Sequence, residues 1–467
     1  MNQRLVVSTE CPTCSAPLDF AAGSNVVRCQ HCRSNLLVTG RKQVLSYYIA
    51  PKIDGRHAAT HVMFAHREAG QRGRVVKAQL FLVPYYRLTG HDLRWERPES
   101  AETAEEPPRA ERWGASWALK LAALDLLRVD ESLDFSSRQL DEKERRIELR
   151  DRYVEKSLIA CQLGTAGLFS LGLRPTVLRL RLFRREAAGS ESRIVAAEMS
   201  PETALSEGMK AVCPQPTLYR KVIGRVLSII YQPYWMVEVD RERRTVLSIV
   251  DAVTDDMINL DCPVSLYQVL DREPSSEPQV AEFRPLVCPN CGWDVAAQPE
   301  DAVLCCSSCR GAWQIHGSDL KPVPYQVAAV PSEGAPGTVK YQPFWVLEAR
   351  HGQAEPLRFF LPAFRYRRLK FLVDLARALS KKAPSYALNQ NEVPLERGCF
   401  YDDDDALGLA EFVYAGLDAV PDERIRTLEE HGLAFGSPTL TWFPYRVRGD
   451  TLIDPFTGRA FYESMLA

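Results

Sequence analysis

Four cysteines, Cys11, Cys14, Cys29 and Cys32, recur as Cys288, Cys291, Cys306 and Cys309 with the same Cys-x2-Cys-x14-Cys-x2-Cys spacing. A Cys-x2-Cys turn bends the backbone until both sulfurs face one point. Two such turns, each at the tip of a hairpin, close a tetrahedron of thiolates, the arrangement that Zn²⁺ favours in structural sites. The separation between the pairs lies just below the range usual for such sites. The flanks agree with the reading. Pro12 and Pro289 stiffen the first turn of each quartet. Gly292 and Gly311 follow cysteines, where backbone N–H groups commonly turn back toward sulfur, and Ser15 and Ser34 stand in the equivalent places. Arg28, Arg33 and Arg310 adjoin the ligands and offset part of the negative charge of a four-thiolate zinc centre. Two structural Zn²⁺ ions are therefore expected, one per quartet. Four thiolates also suit iron, which is the alternative metal. Four protein ligands leave no open coordination position, so neither centre is expected to be catalytic. Cys305 adjoins Cys306, but the constant offset between the quartets selects Cys306, and Arg28 stands where Cys305 would align.

The remaining cysteines, Cys161, Cys213, Cys262 and Cys399, show no paired spacing. Thirteen cysteines in a chain that opens MNQRLVVSTECPTC, without the apolar stretch of an export signal, point to a reducing, cytoplasmic setting and to metal binding rather than disulfides. The longest apolar run, Leu158 to Leu173, is short for a bilayer span and holds three glycines, so a buried core segment is expected there. The formal net charge of −2 gives no general attraction to nucleic acid.

Composition also divides the chain. At 467 residues about three domains are expected. Residues 96–111 and 271–285 are rich in Glu, Pro and Ala and read as linkers, being too poor in apolar side chains to offset the entropy of ordering. The expected order is a first cysteine module at 1–40, a β-rich module at 41–95, a linker, a central α+β domain at 112–270 and a second linker. The second cysteine module at 286–320 and a C-terminal α+β domain at 321–467 follow.

A second repeat runs through these parts. Tyr231-Gln-Pro-Tyr-Trp-Met-Val recurs as Tyr341-Gln-Pro-Phe-Trp-Val-Leu, with looser copies at Leu82-Val-Pro-Tyr-Tyr and Trp442-Phe-Pro-Tyr. Each reads as a proline at the first residue of an aromatic, alternating strand, where a missing N–H costs least. Ile249-Val-Asp-Ala-Val-Thr and Leu452-Ile-Asp-Pro-Phe-Thr continue two of the copies, which makes the unit a recurring β-hairpin in which Trp235 and Trp345 are equivalent core residues. Helices are expected at 368–382, 404–417 and 421–431, and a charged, solvated one at 136–153. The fold class expected is α+β and multidomain, two cysteine modules with repeated β-rich units and a few helices.

Both cysteine modules resemble the zinc-ribbon superfamily over about 30 residues each. The proline-aromatic strands loosely resemble β-modules found beside zinc ribbons in uncharacterised bacterial multidomain proteins. The resemblance implies small rigid platforms for protein or nucleic-acid contact. Other clusters have plainer readings. His57, His61 and His66 lack the glutamate of an HExxH site and read as exposed or satisfied histidines. Asp402 to Asp405 lacks the pattern of a calcium loop and reads as a helix cap. Arg179 to Arg185 reads as the wet face of a strand, and Arg365 to Lys370 as a second basic stretch. No phosphate-binding loop, dinucleotide fingerprint or nucleophile elbow occurs, which removes the usual grounds for assigning catalytic residues. The function expected is a non-enzymatic, zinc-binding scaffold or adaptor with a protein partner. Trp293 and Trp313, each near a ligand in a module too small to bury much, are its candidate contacts, with packing against the neighbouring domain as the alternative. A nucleic-acid-binding protein is the second reading, and an enzyme with an unfamiliar site in the central domain the third.

Overall fold

The computed structural model describes residues 5–39, 44–96, 147–168, 179–183, 192–210, 217–241, 244–272, 279–331, 338–351, 355–389, 397–418 and 422–466. Among these the chain is a mixed α/β multidomain protein in which sheet predominates. It divides into two compact units, each assembled from three stretches: residues 1–91, 153–214 and 224–323 in the first, and 92–152, 215–223 and 324–467 in the second.

The strands of the first unit are β1 (Val6–Glu10), β2 (Pro17–Ala21), β3 (Val26–Arg28), β4 (Asn35–Val38) and β5 (Leu45–Ile49). Helix α1 (Gly55–Glu68) then leads into the long β6 (Gly73–Glu96), followed by β7 (Glu148–Ile159), β8 (Arg179–Leu182) and β9 (Arg193–Ile194). Helix α2 (Pro201–Lys210) leads into β10 (Thr217–Arg241), β11 (Arg244–Asp251) and β12 (Met257–Pro263), though residues 92–96 of β6, 148–152 of β7 and 217–223 of β10 belong to the second unit. Strands β13 (Phe283–Pro285), β14 (Val303–Cys305), β15 (Ala312–His316) and β16 (Asp319–Pro322) complete it. A ten-stranded sheet runs β12-β11-β10-β5-β8-β1-β2, with β6 beside β10, β7 and β9. In β8 the arginines Arg179 and Arg181 are exposed and Leu180 and Leu182 buried, the period of two expected for a wet strand face.

The second unit holds β17 (Tyr325–Val327), β18 (Val339–Arg350), β19 (Leu357–Pro362), helices α3 (Leu369–Lys382), α4 (Asp403–Ala415) and α5 (Asp422–His431), then β20 (Ala434–Phe435), β21 (Thr439–Arg448), β22 (Thr451–Ile453) and β23 (Ala460–Tyr462). Its sheet runs β19-β18-β21-β22-β23. The three helices fall where the sequence places them, α3 by apolar spacing, α4 by the acidic run at its start and α5 by the proline and acids at its start. Asp402 caps α4, its carboxylate accepting the N–H of Asp405 at 2.9 Å, as the acidic run implies.

Two expectations are corrected. Residues 148–153 lie in strand β7, not in a helix; Leu149 and Val154 are buried there among exposed charged side chains, while 136–146 lie outside the described residues. Nor do the repeated prolines begin their strands. Pro84, Pro233, Pro343 and Pro444 sit inside β6, β10, β18 and β21. The missing N–H is tolerated for a different reason: the hairpin partner ends beside it. Pairing of β10 with β11 begins at Tyr234↔Asp251, and of β18 with β19 at Phe344↔Pro362, each one residue after the proline. Proline thus marks the start of a hairpin rather than the start of a strand.

The hairpin end has a fixed use. The Pro233 carbonyl accepts the N–H of Ala252 at 3.1 Å, and the Ala252 carbonyl accepts two consecutive N–H groups, Lys52 at 2.7 Å and Ile53 at 3.2 Å. The Trp235 indole then donates to the Ile53 carbonyl at 3.0 Å. Asp54, the next residue, caps α1. The same set recurs with Pro84, Ala160, Glu198, Met199 and the Tyr86 hydroxyl, where Ser200 caps α2. It recurs again with Pro343, Ala363, Phe400, Tyr401 and the Trp345 indole, where Asp402 caps α4. In the first unit the exchange is reciprocal: α1 leads into β6 but is held by the β10 hairpin, and α2 leads into β10 but is held by the β6 hairpin. The residues after the prolines meet in the core. Tyr85 and Tyr234 join hydroxyls at 3.1 Å, while Phe344 stacks near Tyr445, ring centroids 6.4 Å apart.

Trp345 is 2% exposed and fully in the core, whereas Trp235 is half-buried against the start of α1. Trp345→Ala should therefore lower unfolding free energy by about 3–5 kcal/mol in a urea titration, the range for a large buried aromatic, and Trp235→Ala by less. Tyr445 carries a buried hydroxyl with no hydrogen-bond partner among the described residues, since Phe344 has none to offer. Tyr445→Phe should leave stability unchanged or raise it, while Tyr85→Phe should cost about 1 kcal/mol.

Candidate metal centres

Each cysteine pair lies in one tight turn, and the four turns are copies of one another. In the first, between β1 and β2, Ser15 N–H bonds the Cys11 carbonyl at 2.8 Å and Cys11 N–H bonds the Ala16 carbonyl at 2.9 Å. The same two bonds join Arg33 to Cys29 and Cys29 to Ser34, Gly292 to Cys288 and Cys288 to Trp293, and Arg310 to Cys306 and Cys306 to Gly311. The residue after the second cysteine is left-handed every time: Ser15 at φ 57°, Arg33 at 63°, Gly292 at 74° and Arg310 at 61°. Only one of these is glycine. Three non-glycine residues held there mean that the turn, not residue preference, dictates the conformation.

The turns bring the sulfurs together as the spacing predicts. Cys11 and Cys32 lie 3.8 Å apart, Cys14 and Cys29 3.8 Å, Cys288 and Cys309 3.5 Å, and Cys291 and Cys306 3.6 Å. A tetrahedral ion with metal–sulfur arms of about 2.3 Å needs edges of about 3.8 Å. Both quartets can therefore hold a metal ion. Cys11, Cys29, Cys288 and Cys306 are buried and their four partners half-buried. Cys305 is buried and lies outside the second quartet, whose four sulfurs are those of Cys288, Cys291, Cys306 and Cys309.

The sulfurs are not electrically alike. The Ser34 hydroxyl and its N–H hold the Cys32 thiol down to about 6, and the Asn290 side chain with the Gly311 N–H does the same for Cys309, also to about 6. Cys14, though it receives the Ala16 N–H, is pushed up to about 12 by burial and by the other thiols; Cys291, bonded by the Trp293 N–H, behaves likewise. A quartet of adjacent sulfurs cannot all ionise without a cation among them, so metal entry must displace protons.

The two modules are joined. Strand β13, inside the stretch that reads as the second linker, pairs antiparallel with β4 of the first module through Phe283↔Val38, Arg284↔Leu37 and Pro285↔Leu36. The Asn35 side chain donates to the Val295 carbonyl at 3.1 Å, the Asn25 side chain to the Asp301 carbonyl at 2.7 Å, and the N–H groups of Asn25 and Val26 reach the Pro299 carbonyl. Val26 and Leu37 sit in one apolar cluster with Leu286, Val295, Leu304, Ile315 and the ligands Cys288 and Cys306. Their neighbours Val27, Leu36 and Val38 face the other way, into the core that holds Cys11 and Cys29. The strands of the first module thus separate the two quartets and contribute to the packing of both.

Other candidates fall elsewhere. Trp313 packs against the apolar cluster of the second module, whereas Trp293 is 68% exposed. Cys161, Cys262 and Cys399 are buried, and Cys213 lies outside the described residues. The carboxylates of Asp402, Asp403 and Asp404 lie close together at the start of α4, where they cap it. His66 is buried and bonded to Ser248 at 3.0 Å, away from His57 and His61, which share Asp255. Asp255 lies about two hundred residues away in sequence, so spacing alone could not have found it. No helix among the described residues is long and apolar enough to cross a membrane. Compared with protein-family models, curated proteins and solved structures, the chain matches none of them.

The shared packing gives a testable consequence. Replacing Cys11 and Cys14 with Ser should speed metal loss from the second quartet when a chelator is added, because Val26 and Leu37 lose their fixed position. A release rate for the second quartet equal to that of the unaltered protein would show the two centres to be independent.

Proposed function

We propose that the chain is a zinc-binding scaffold: two zinc ribbons, each stabilised by one structural Zn²⁺, form a rigid body that contacts another protein. The observation that carries this reading is the closed, four-sulfur geometry of both quartets. Four thiolates favour zinc among common ions, and their number leaves no position for substrate or water. The ion's role is then to fix the fold of modules too small to hold their shape by apolar burial alone. A structural metal beside a strongly exposed Trp293 gives the second ribbon a rigid knuckle with an apolar anchor. Tryptophan is enriched among residues that dominate protein interfaces. Exposed Val287, in the isolated bridge to Asp294 that flanks Trp293, extends the same apolar surface.

Elemental analysis of protein purified without added metal should give close to two zinc ions per chain, and iron in their place would defeat the zinc assignment. Affinity capture from the native cell should recover a partner that Trp293→Ala loses while keeping both zinc ions. Tight binding to mixed DNA and RNA fragments that weakens steeply with salt would replace the scaffold reading with the nucleic-acid one.

A further inference from the structure

Helix α1 packs on one face of the β10–β11 hairpin. Its buried side chains, Ala58, Val62 and His66, recur every fourth residue and so share one face of the helix. Beneath them the strand register puts Val237 beside Ser248 and Val239 beside Val246, and the period of two adds Arg241 and Val250 to that same face. Ala58, Val62 and the four valines form one apolar cluster. His66 ends the row at 1% exposure, an ionisable group inside an otherwise apolar contact.

The neighbours of His66 decide which protons it carries. The Ser248 hydroxyl donates to the Leu260 carbonyl at 2.8 Å, so its oxygen accepts the Nε2–H of His66 at 3.0 Å. The proton of the neutral imidazole is thereby on Nε2, and Nδ1 is left to accept from the Arg241 guanidinium at 3.0 Å. A second proton on Nδ1 would set two like charges in contact away from water. The Asp261 carboxylate that would offset them is already shared by Arg241 at 3.1 Å and Arg244 at 2.5 Å. The Gln71 side-chain oxygen, 2.8 Å from Nδ1, favours the proton. Burial first, and then Arg241, nevertheless hold the imidazole below the ordinary value of histidine, against the pull of Gln71 and Asp261.

The two ends of α1 differ. At its start Asp54 caps the helix and the Trp235 indole holds the Ile53 carbonyl. His57 and His61 face the Asp255 carboxylate, at 2.7 and 3.0 Å, an acceptor that a protonated imidazole still satisfies. At its other end the N–H groups of Ala69 and Gln71 return to the carbonyls of Ala65 and His66, and the His66 ring carries the polar contact to the hairpin. We propose that His66 is an acid-sensitive latch: protonation of its imidazole frees the last turns of α1 from the hairpin and uncovers the valine face, while the start of the helix stays anchored. A freed His66 takes its proton in the ordinary histidine range, the docked one only at lower pH. Docking is thus full above that range and weakens as pH falls below it, by at most about tenfold per pH unit. The latch does not depend on the zinc-ribbon reading, since none of its residues belongs to a quartet.

The test is hydrogen–deuterium exchange of the full-length protein at about pH 7.5 and about pH 5.5, corrected for the intrinsic pH dependence of exchange. Opening of the amides of residues 66–71 should rise on acidification by about tenfold or more, and that of residues 58–61 by much less. His66→Gln keeps a donor for Ser248 but does not titrate, and should remove the extra opening. Arg241→Gln keeps an N–H for Nδ1 without the charge, and should reduce it; a merely structural Arg241 would instead loosen the turn equally at both pH values. Both variants keep the cysteine quartets, so opening caused by metal loss in acid would appear in them as well. Equal opening of residues 66–71 at the two pH values, acid opening undiminished in either variant, or acid opening spread evenly over the first unit would each overturn the latch.

Discussion

The carbonyl of one alanine at the end of each hairpin organises most of this molecule. Ala160, Ala252 and Ala363 each receive two successive N–H groups from the chain about to become a helix, and an aromatic two residues beyond the proline fixes the carbonyl that follows. These bonds join elements that are far apart in sequence, and they set where each helix begins and which way it points. Small side chains suit the junction because the backbone is approached from two sides. Proline suits it because an N–H at that place would have no ladder partner. Conservative chemistry thus serves three times over, with Tyr, Trp and Trp as the donors.

The cysteine modules follow a different logic. Their turns are set by backbone bonds and left-handed residues that orient the sulfurs, so little rearrangement is needed to receive an ion. Their outer surfaces are too small to form separate cores. The pleat of β3 and β4 resolves this by sending alternate residues to opposite sides, one set into the core of the ten-stranded sheet and one into the second module. The cysteine quartets and the apolar cores are interlocked, since Cys11 and Cys29 lie inside one cluster and Cys288 and Cys306 inside the other.

How much of this could be read from the sequence depended on the range of the interactions involved. The quartets were fully legible because ligand chemistry fixes spacing within a short stretch. Helices α3, α4 and α5 were legible from apolar period and from caps such as Asp402. The hairpin repeat was visible, but the role of its proline was not, because strand length is decided by neighbours that the local pattern does not name. Strand β7 misled for the same reason: only Leu149 and Val154 are buried in it, five residues apart across a run of exposed charges, a pattern hard to separate from a solvated helix. The union of the two modules was hidden altogether. Phe283–Pro285 is short and follows a polar stretch, and only its partner β4 makes it a strand.

Strand β4 and strand β13 are separated by some two hundred and fifty residues of chain. Synthesis at about 5–20 residues per second puts tens of seconds between the emergence of the two. Through that interval Val26 and Leu37 have nothing to cover them, and β4 offers an open edge of the kind that invites pairing with other chains. The first quartet can close around its ion long before the second exists. Its early closure would hold β3 and β4 in order on the ribosome, as a template on which the later module completes itself.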